Sequence, residues 1–193
     1  CLGPCRRMRG AWRLARCPRG QTVVQAQRIL ALNGTKLVSG YTENVNVVLG
    51  VSGSVAAYRA ADLARELMRS GFTVRVCLTD SAQQFVSVAL FEALTGQPCL
   101  QDVFEEPTPG RMAHIDWARE ADAVVIAPAT ANTLNKLAAG VGDDMLTTIA
   151  LATTKPLIVA PAMNPQMYAN PATQHALSAL SERGAFVVEP VEG

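Results

Sequence analysis

Two short segments of small, hydroxyl and amide residues come directly after apolar runs in this sequence. Ala127 to Thr133 reads Ala-Pro-Ala-Thr-Ala-Asn-Thr and follows Ala123 to Ile126, while Ala160 to Asn164 reads Ala-Pro-Ala-Met-Asn and follows Pro156 to Val159. A strand that turns through such residues into a helix leaves backbone N–H groups without partners. For one segment alone, an ordinary capped helix start is an equal alternative. The pair predicts two neighbouring parallel strands that share a crevice for an anion or an oxygen-rich cofactor.

A third segment of the same kind lies nearer the amino terminus. Ser52 to Ala57 reads Ser-Gly-Ser-Val-Ala-Ala, and it stands between the β-branched run Asn46 to Leu49 and a helical pattern that ends at Gly71. A strand, a glycine and serine turn, and a helix form a phosphate-binding arrangement. The segment lacks the Gly-x-Gly-x-x-Gly pattern of dinucleotide sites and the lysine of a P-loop, which argues against both of those classes.

A second strand is predicted at Phe72 to Leu78, where apolar residues alternate with polar ones. It ends in Thr79-Asp80-Ser81, which we expect to cap a helix around Gln83 to Leu90. In a doubly wound sheet this strand lies beside the first one, so Thr79 and Ser81 are expected to face the same ligand. The proline-rich segment Gly96 to Gly110 is long enough to act as a flap or a subunit contact.

The positions of these segments predict the fold. Strands alternate with helices from Val45 onward, a pattern typical of a doubly wound parallel sheet with helices on both faces, which is a three-layer α/β architecture. The length of 193 residues and the hydrophobic content of 49% fit a single domain with a sizeable core. No apolar run approaches the roughly 20 residues of a membrane span, so no membrane partner is expected.

Residues 1–44 form a basic extension that we leave out of the fold argument. Its acidic residues are limited to Glu43, whereas its cationic residues are numerous: Arg6, Arg7, Arg9, Arg13, Arg16, Arg19, Arg28 and Lys36. We interpret it as a disordered, solvated tail rather than a surface for nucleic acid. Because the chain begins at Cys1 and reaches its first methionine at Met8, we also expect the extension to include non-native sequence.

The cysteines predict a reducing compartment. The chain has five cysteines, an odd number without paired metal-ligand spacing: Cys1, Cys5, Cys17, Cys77 and Cys99. Reduced thiols in a cytoplasmic protein are the simplest interpretation, and no metal site is predicted.

From about Val45 to its end the chain resembles the flavoprotein family of cysteine decarboxylases, and most of all the phosphopantothenoylcysteine decarboxylases. The matching segments occur in the family's order and span about three quarters of the chain: Gly53-Ser54-Val55-Ala56-Ala57, His114-Ile115, Pro128-Ala129-Thr130-Ala131-Asn132-Thr133, Asp143-Asp144 and Pro161-Ala162-Met163-Asn164-Pro165-Gln166-Met167-Tyr168. Each segment is weak evidence alone, but the ordered set is specific. The resemblance implies a flavodoxin-like fold and FMN as the cofactor.

The resemblance also implies roles for individual residues. It places the FMN phosphate and its surroundings at Gly53, Ser54, Val55, Thr79 and Ser81, and the flavin at Thr130, Ala131, Asn132, Thr133 and Ala162. His114 becomes the catalytic base or an electrostatic partner beside the flavin and the thiol. Asn164 becomes the residue that holds the substrate carboxylate, with Met163 and Met167 beside it, although core filling is an alternative for both methionines. Alone, His114 would be read as an exposed loop imidazole. The two asparagine segments favour the catalytic role, whereas His175 receives none.

The implied activity is the FMN-dependent decarboxylation of the cysteine carboxylate of 4'-phosphopantothenoylcysteine to 4'-phosphopantetheine, in coenzyme A biosynthesis. Oxidation of the C–S unit to a thioaldehyde supplies the electron sink, an asparagine amide positions the carboxylate, and a histidine accepts the thiol proton. The resemblance also implies a homotrimer, alone or as a dodecamer of trimers, with active sites between subunits. We expect the protein to be cytoplasmic.

Three alternatives follow from the same residues. In phosphopantothenoylcysteine decarboxylases a flap beyond the residue equivalent to Gly193 carries a cysteine that protonates the enethiolate, and none of the five cysteines here has that place. Oxidative decarboxylation of a C-terminal peptidyl cysteine to an enethiol is therefore an alternative. A flavin prenyltransferase would need basic and aromatic residues for dimethylallyl phosphate, and the sequence has no clear cluster of them. A non-catalytic relative is expected to lack His114 or Asn164, and both are present.

Overall fold

The structure is a computed structural model that describes residues 45–104 and 110–189, and the backbone of two short strands before them. The strands, numbered in chain order, are β1 (Leu37–Val38), β2 (Tyr41–Thr42), β3 (Val45–Val51), β4 (Phe72–Leu78), β5 (Cys99–Leu100), β6 (Ala123–Ala129), β7 (Leu157–Pro161) and β8 (Phe186–Val187). The α-helices are α1 (Tyr58–Arg69), α2 (Val88–Thr95), α3 (Ala113–Glu120), α4 (Ala131–Ala139), α5 (Met145–Ala152), α6 (Pro165–Tyr168) and α7 (Pro171–Glu182).

Six of the strands form one parallel sheet in the order β5-β4-β3-β6-β7-β8, and β1 pairs with β2 as a separate antiparallel hairpin. The predicted doubly wound α/β fold is therefore confirmed. The strand order reverses between β3 and β6, because the chain first builds outward through β4 and β5 and then crosses to the other side of β3. Open parallel sheets bind ligands at the carboxyl ends of the strands beside such a reversal.

Alternate residues of the strands supply two cores, one on each face of the sheet. On one face Val47, Leu49 and Val51 of β3 pack with α1 and α2. On the other face Val48 packs with α3, α4, α5 and α7. These β3 side chains are at most 1% exposed, as expected for a strand that is covered on both faces. The result is the predicted three-layer arrangement, with both core clusters continuous along the sheet.

Some predicted boundaries were wrong for identifiable reasons. The helix expected around Gln83 to Leu90 is replaced by a short 3₁₀ turn at Ala82–Gln84 and by α2, which starts later. Ser87 causes this later start, since its hydroxyl accepts a hydrogen bond from the Leu90 amide at 3.2 Å and caps a new helix. The two-residue strand β5 and the four-residue helix α6 were missed because both are too short to show a periodic pattern.

The carboxyl end of β6 is irregular in register between Ile126 and Ala129, and the Ala127–Pro128 peptide bond there is cis. The strand nevertheless continues through the Ala-Pro-Ala segment, which the sequence had suggested was a loop. No helix in the described part of the chain is both long and apolar enough to cross a lipid bilayer.

Candidate functional site

The candidate site lies where β3, β4, β6 and β7 end at one edge of the sheet. Backbone hydrogen bonds continue past the strands and hold these ends together. The Thr79 amide donates to the Val51 carbonyl at 3.1 Å, and the Ala162 amide donates to the Ala129 carbonyl at 3.0 Å. The segments that the sequence predicted to share a crevice are therefore neighbours in the fold.

The turn after β3 leaves backbone donors unpaired. Among the described residues, the amides of Gly53 and Val55 have no hydrogen-bond partner, while the Ser54 hydroxyl caps the 3₁₀ turn that follows. Gly53 also lies against the β4 loop: a Cβ atom added to it would stand 2.5 Å from the Ser81 Cβ and 2.8 Å from its carbonyl carbon. A side chain does not fit there, so glycine at this position lets the turn after β3 pack directly against the loop after β4.

The loop after β6 caps α4 with its own hydroxyls. Thr130 Oγ1 accepts the Thr133 amide at 3.3 Å and lies 3.1 Å from the Thr133 hydroxyl. The amides of Ala131 and Asn132 stay without a partner in the described structure, at the positive end of the helix dipole. Of the four residues predicted to line a flavin here, Thr133 is 3% exposed and acts as a capping partner, whereas Asn132 is exposed.

Ser52 is a residue to which the sequence analysis gave no role. Its side chain is 1% exposed, donates to the Pro128 carbonyl at 2.8 Å and accepts a hydrogen bond from the Thr130 amide at 2.9 Å. The Ser52 amide also donates to the Pro128 carbonyl at 3.2 Å. One buried hydroxyl thus joins the turn after β3 to the loop after β6. In the sequence, the signal that could have pointed to this role of Ser52 was its position directly after a buried strand.

Thr79 and Ser81, predicted beside the phosphate, follow β4. Their hydroxyls lie 3.2 Å apart, and Thr79 Oγ1 also accepts the Ala82 amide at 3.3 Å. Thr79 is buried and Ser81 is exposed, so Ser81 presents its hydroxyl more openly at this edge. A long hydrogen bond of 3.4 Å, from Ser54 Oγ to the Ala162 carbonyl, links the turn after β3 with the end of β7.

Asn164 is the N-cap of α6, and this role orients its side chain. Oδ1 accepts the Gln166 amide at 2.8 Å. Since a backbone amide can only donate, the bonded atom must be the oxygen, and the Nδ2 group has no hydrogen-bond partner in the part of the chain that the structure describes. Of the two methionines predicted beside it, Met163 is 9% exposed and packs in the core, whereas Met167 is 50% exposed.

His114 lies in the first turn of α3, the helix that leads from this edge of the sheet back to the start of β6. Its ring nitrogen Nδ1 is buried and has no hydrogen-bond partner in the described structure. The topology places His114 at the same edge as the four loops, but no described contact joins them. His175 is exposed on α7.

The Asp143-Asp144 pair has a structural role in the described chain. Asp144 caps α5 in a reciprocal arrangement with Thr147, and Lys136 of α4 pairs with Asp143 at 2.8 Å and with Asp144 at 3.4 Å. The hydrogen bond to Asp143 raises the pKa of Lys136, and the same bond lowers the pKa of Asp143. This cluster ties the start of α5 to the helix that carries the β6 loop.

Two further features lie away from the loops. Burial raises the pKa of the Cys77 thiol and brings that of Cys99 to about 12, and the two thiols pack on opposite faces of the sheet. A cleft of about 720 Å³ lies at the opposite edge, where its lining includes Lys155 and Arg183 but no predicted site residue. The described residues contain no group of three or more side chains able to hold a metal ion.

Comparison with known proteins shows the family of the chain. Residues 36–193 match the family described as Flavoprotein. The chain belongs to the Flavoprotein family. Together with the relatives described next, this match confirms the resemblance to flavin-dependent cysteine decarboxylases and the fold predicted from it.

Three proteins similar to this chain have named functions or known structures. The coenzyme A biosynthesis bifunctional protein CoaBC of Bacillus subtilis is 47% identical over 150 residues, which are 78% of this chain and 37% of that protein. The FMN-dependent cysteine decarboxylase SpaF superposes with a TM-score of 0.72 at 36% identity, over 77% of this chain and 86% of SpaF. A mutant PPC decarboxylase, complexed with pantothenoylaminoethenethiol, gives a TM-score of 0.67 at 36% identity, over 77% of this chain and 84% of that one. The chain therefore spans little more than a third of its CoaBC relative.

Proposed function

We propose that the four loops bind FMN. Relatives named for FMN dependence suggest this cofactor, and the residues fit it. Within the described residues the amides of Gly53 and Val55 have no partner, so they are available to bind a phosphate. The free amides of Ala131 and Asn132 suit the oxygen-rich edge of a flavin. When bound, FMN supplies the redox chemistry that the loss of carbon dioxide from a cysteine needs.

The substrate that this site supports best is 4'-phosphopantothenoylcysteine, whose cysteine carboxylate leaves as carbon dioxide to give 4'-phosphopantetheine in coenzyme A biosynthesis. The single observation that carries this proposal is Asn164, whose Oδ1 accepts the Gln166 amide, so that Nδ2 is the group of this side chain available to donate to a carboxylate. An amide donor orients a carboxylate without protonating it, so the group stays free to depart.

His114 is proposed as the group that takes the thiol proton of the substrate. With Nδ1 buried and unpartnered, Nε2 is the ring nitrogen left to reach a substrate. An imidazole at that place accepts a proton and then balances the charge that develops on sulfur. Met167, which is half exposed next to Asn164, is proposed to border the substrate, while the burial of Met163 limits it to supporting that edge.

The proposal is tested by incubating the FMN-loaded protein with 4'-phosphopantothenoylcysteine and measuring carbon dioxide and product mass. The parent is expected to release carbon dioxide, and His114→Gln is expected to lose this activity while it still binds FMN. Absence of turnover in the parent, or full turnover in the His114 variant, would contradict the assignment.

Oxidative decarboxylation of a C-terminal peptidyl cysteine is the second candidate, because the peptidyl-cysteine decarboxylase EpiD superposes with a TM-score of 0.68, against 0.67 for the PPC decarboxylase. The two functions differ in the fate of the product. An enethiol lighter than the simple decarboxylation product by two hydrogens indicates the oxidative reaction, whereas a thiol that has lost only carbon dioxide indicates the complete one.

We also propose that the protein is a cytoplasmic homotrimer, alone or as a dodecamer of trimers, with sites between subunits. Large apolar side chains beside the candidate site support an interface: Val55 is 49% exposed, Tyr58 55% and Phe85 49%. Phe104 and Met112, which precede His114, are 92% and 60% exposed. Apolar side chains exposed on one protein copy are buried when they lie in an interface between copies. Light scattering on the purified protein tests this, and a monomer at micromolar concentration would overturn it.

A further inference from the structure

Ser52 connects the two loops that matter most for the proposed cofactor site. Its hydroxyl is the donor in one hydrogen bond, to the Pro128 carbonyl at 2.8 Å, and the acceptor in another, from the Thr130 amide at 2.9 Å. The first bond joins positions 76 residues apart in the sequence and the second joins positions 78 apart. Because the side chain is 1% exposed, water is poorly placed to substitute for it.

The bond to Thr130 decides which donors remain free at the start of α4. A helix begins with amides that have no partner inside the helix. Here the Thr130 amide is occupied by Ser52 and the Thr133 amide by the Thr130 hydroxyl, so the amides of Ala131 and Asn132 are left for a ligand. Without the Ser52 hydroxyl the Thr130 amide loses its acceptor, and only the bond from the Ser52 amide to the Pro128 carbonyl still joins Ser52 to the loop after β6.

We propose that Ser52 is a positioning residue that sets the spacing between the phosphate-binding turn and the flavin-binding loop. It acts through Thr130 and does not itself touch the cofactor. This inference rests on the proposed binding of FMN by these loops. It predicts that loss of the hydroxyl weakens FMN binding more than it weakens the fold, since the strands on either side remain paired.

The test compares Ser52→Ala with Thr153→Val. Thr153 provides a matched control, because its hydroxyl also makes two hydrogen bonds to the backbone. It donates to the Ala118 carbonyl at 3.2 Å and accepts a hydrogen bond from the Lys155 amide at 3.1 Å. Thr153 lies at the opposite edge of the sheet, away from the candidate site. FMN is titrated into each apoprotein, thermal unfolding reports the fold, and amide hydrogen exchange at Thr130 is followed by NMR without ligand.

Ser52→Ala is expected to raise the dissociation constant for FMN by about tenfold and to accelerate exchange at Thr130, whereas Thr153→Val changes neither. An FMN affinity within about twofold of the parent, or an equal loss in both variants, would overturn the inference. A parent protein that binds no FMN would overturn the cofactor proposal instead. In that case the exchange rate at Thr130 still decides whether Ser52 holds the two loops together.

Discussion

Replacing Gly53 by alanine perturbs the candidate site with a single methyl group. The added Cβ would contact the Ser81 Oγ atom and would stand 2.8 Å from the Ser81 carbonyl carbon. A side-chain rotation moves the Oγ atom away, but the Ser81 Cβ, 2.5 Å from the added atom, is fixed to the backbone, so the two loops must separate by about 0.9 Å to reach 3.4 Å. Overpacking of this kind costs about 1–3 kcal/mol.

Since the strain falls on the proposed phosphate turn, we expect most of this free energy to appear in cofactor binding. A cost of that size corresponds to an FMN affinity weaker by roughly five- to 140-fold. The assay is a fluorescence titration of the apoprotein with FMN, beside thermal unfolding of the same sample. A folded Gly53→Ala protein that binds FMN as tightly as the parent would refute the reasoning.

Two further variants separate the clash from a general effect of the substitution. Gly142→Ala adds the same methyl group where the nearest atom is the flexible tip of Leu151, at 2.8 Å, so we expect its FMN affinity to match that of the parent. Ser81→Gly removes the side-chain part of the clash with Gly53 but leaves the backbone part. Gly53→Ala in that background should therefore cost less affinity than in the parent, although still a measurable amount.

Three other substitutions or reactions test separate parts of the structure. Asn164→Asp keeps an N-cap of equal quality, so thermal unfolding should hardly change, while a carboxylate in place of the donor should slow turnover by about 100-fold; unchanged turnover would contradict the role of the amide. Lys136→Met should destabilise the protein at pH 7. Its difference from the parent in urea unfolding should shrink as the pH falls below 3.8, where Asp143 takes up a proton first in the unfolded chain and, because the pair lowers its pKa, only later in the folded protein. The difference should also shrink as the pH rises above 10.5, where Lys136, whose pKa is raised in the folded protein, loses its proton first in the unfolded chain; a pH-independent difference would argue against the ion pair. Mass-spectrometric mapping with a thiol reagent should leave Cys77 and Cys99 unlabelled in the native protein at neutral pH, because burial raises the pKa of both thiols; labelling of either would contradict the described core.

The sequence predicted the architecture well because each strand ends in residues with a distinct physical role. Gly53 follows β3 and Thr130 follows β6, and both positions read as turns between a buried run and a helix. Parallel strands bring such turns to one edge, so the crevice could be predicted without coordinates. The helix expected around Gln83 could not be corrected in advance, since Ser81 and Ser87 are equally good caps and only packing chooses between them.

The finer properties of the site required three-dimensional contacts. The burial of Met163 depends on the direction in which the chain leaves β7. The burial of the His114 Nδ1 atom depends on how α3 packs. Ser52 gained its importance from bonds to residues more than 70 positions away, which no local pattern predicts. The donor orientation of Asn164 follows from its contact with Gln166, although the sequence had already placed an amide there.

The central claim is that loops at the carboxyl ends of β3, β4, β6 and β7 bind FMN and present a cysteine carboxylate to it. The most direct measurement is anaerobic mixing of the FMN-loaded protein with 4'-phosphopantothenoylcysteine while the visible flavin absorbance is followed. The account predicts that the substrate bleaches the flavin. It predicts no bleaching by a control analogue of the substrate from which the cysteine carboxylate and thiol are absent. A flavin absorbance that does not respond to the substrate, or a protein that cannot take up FMN, would contradict it.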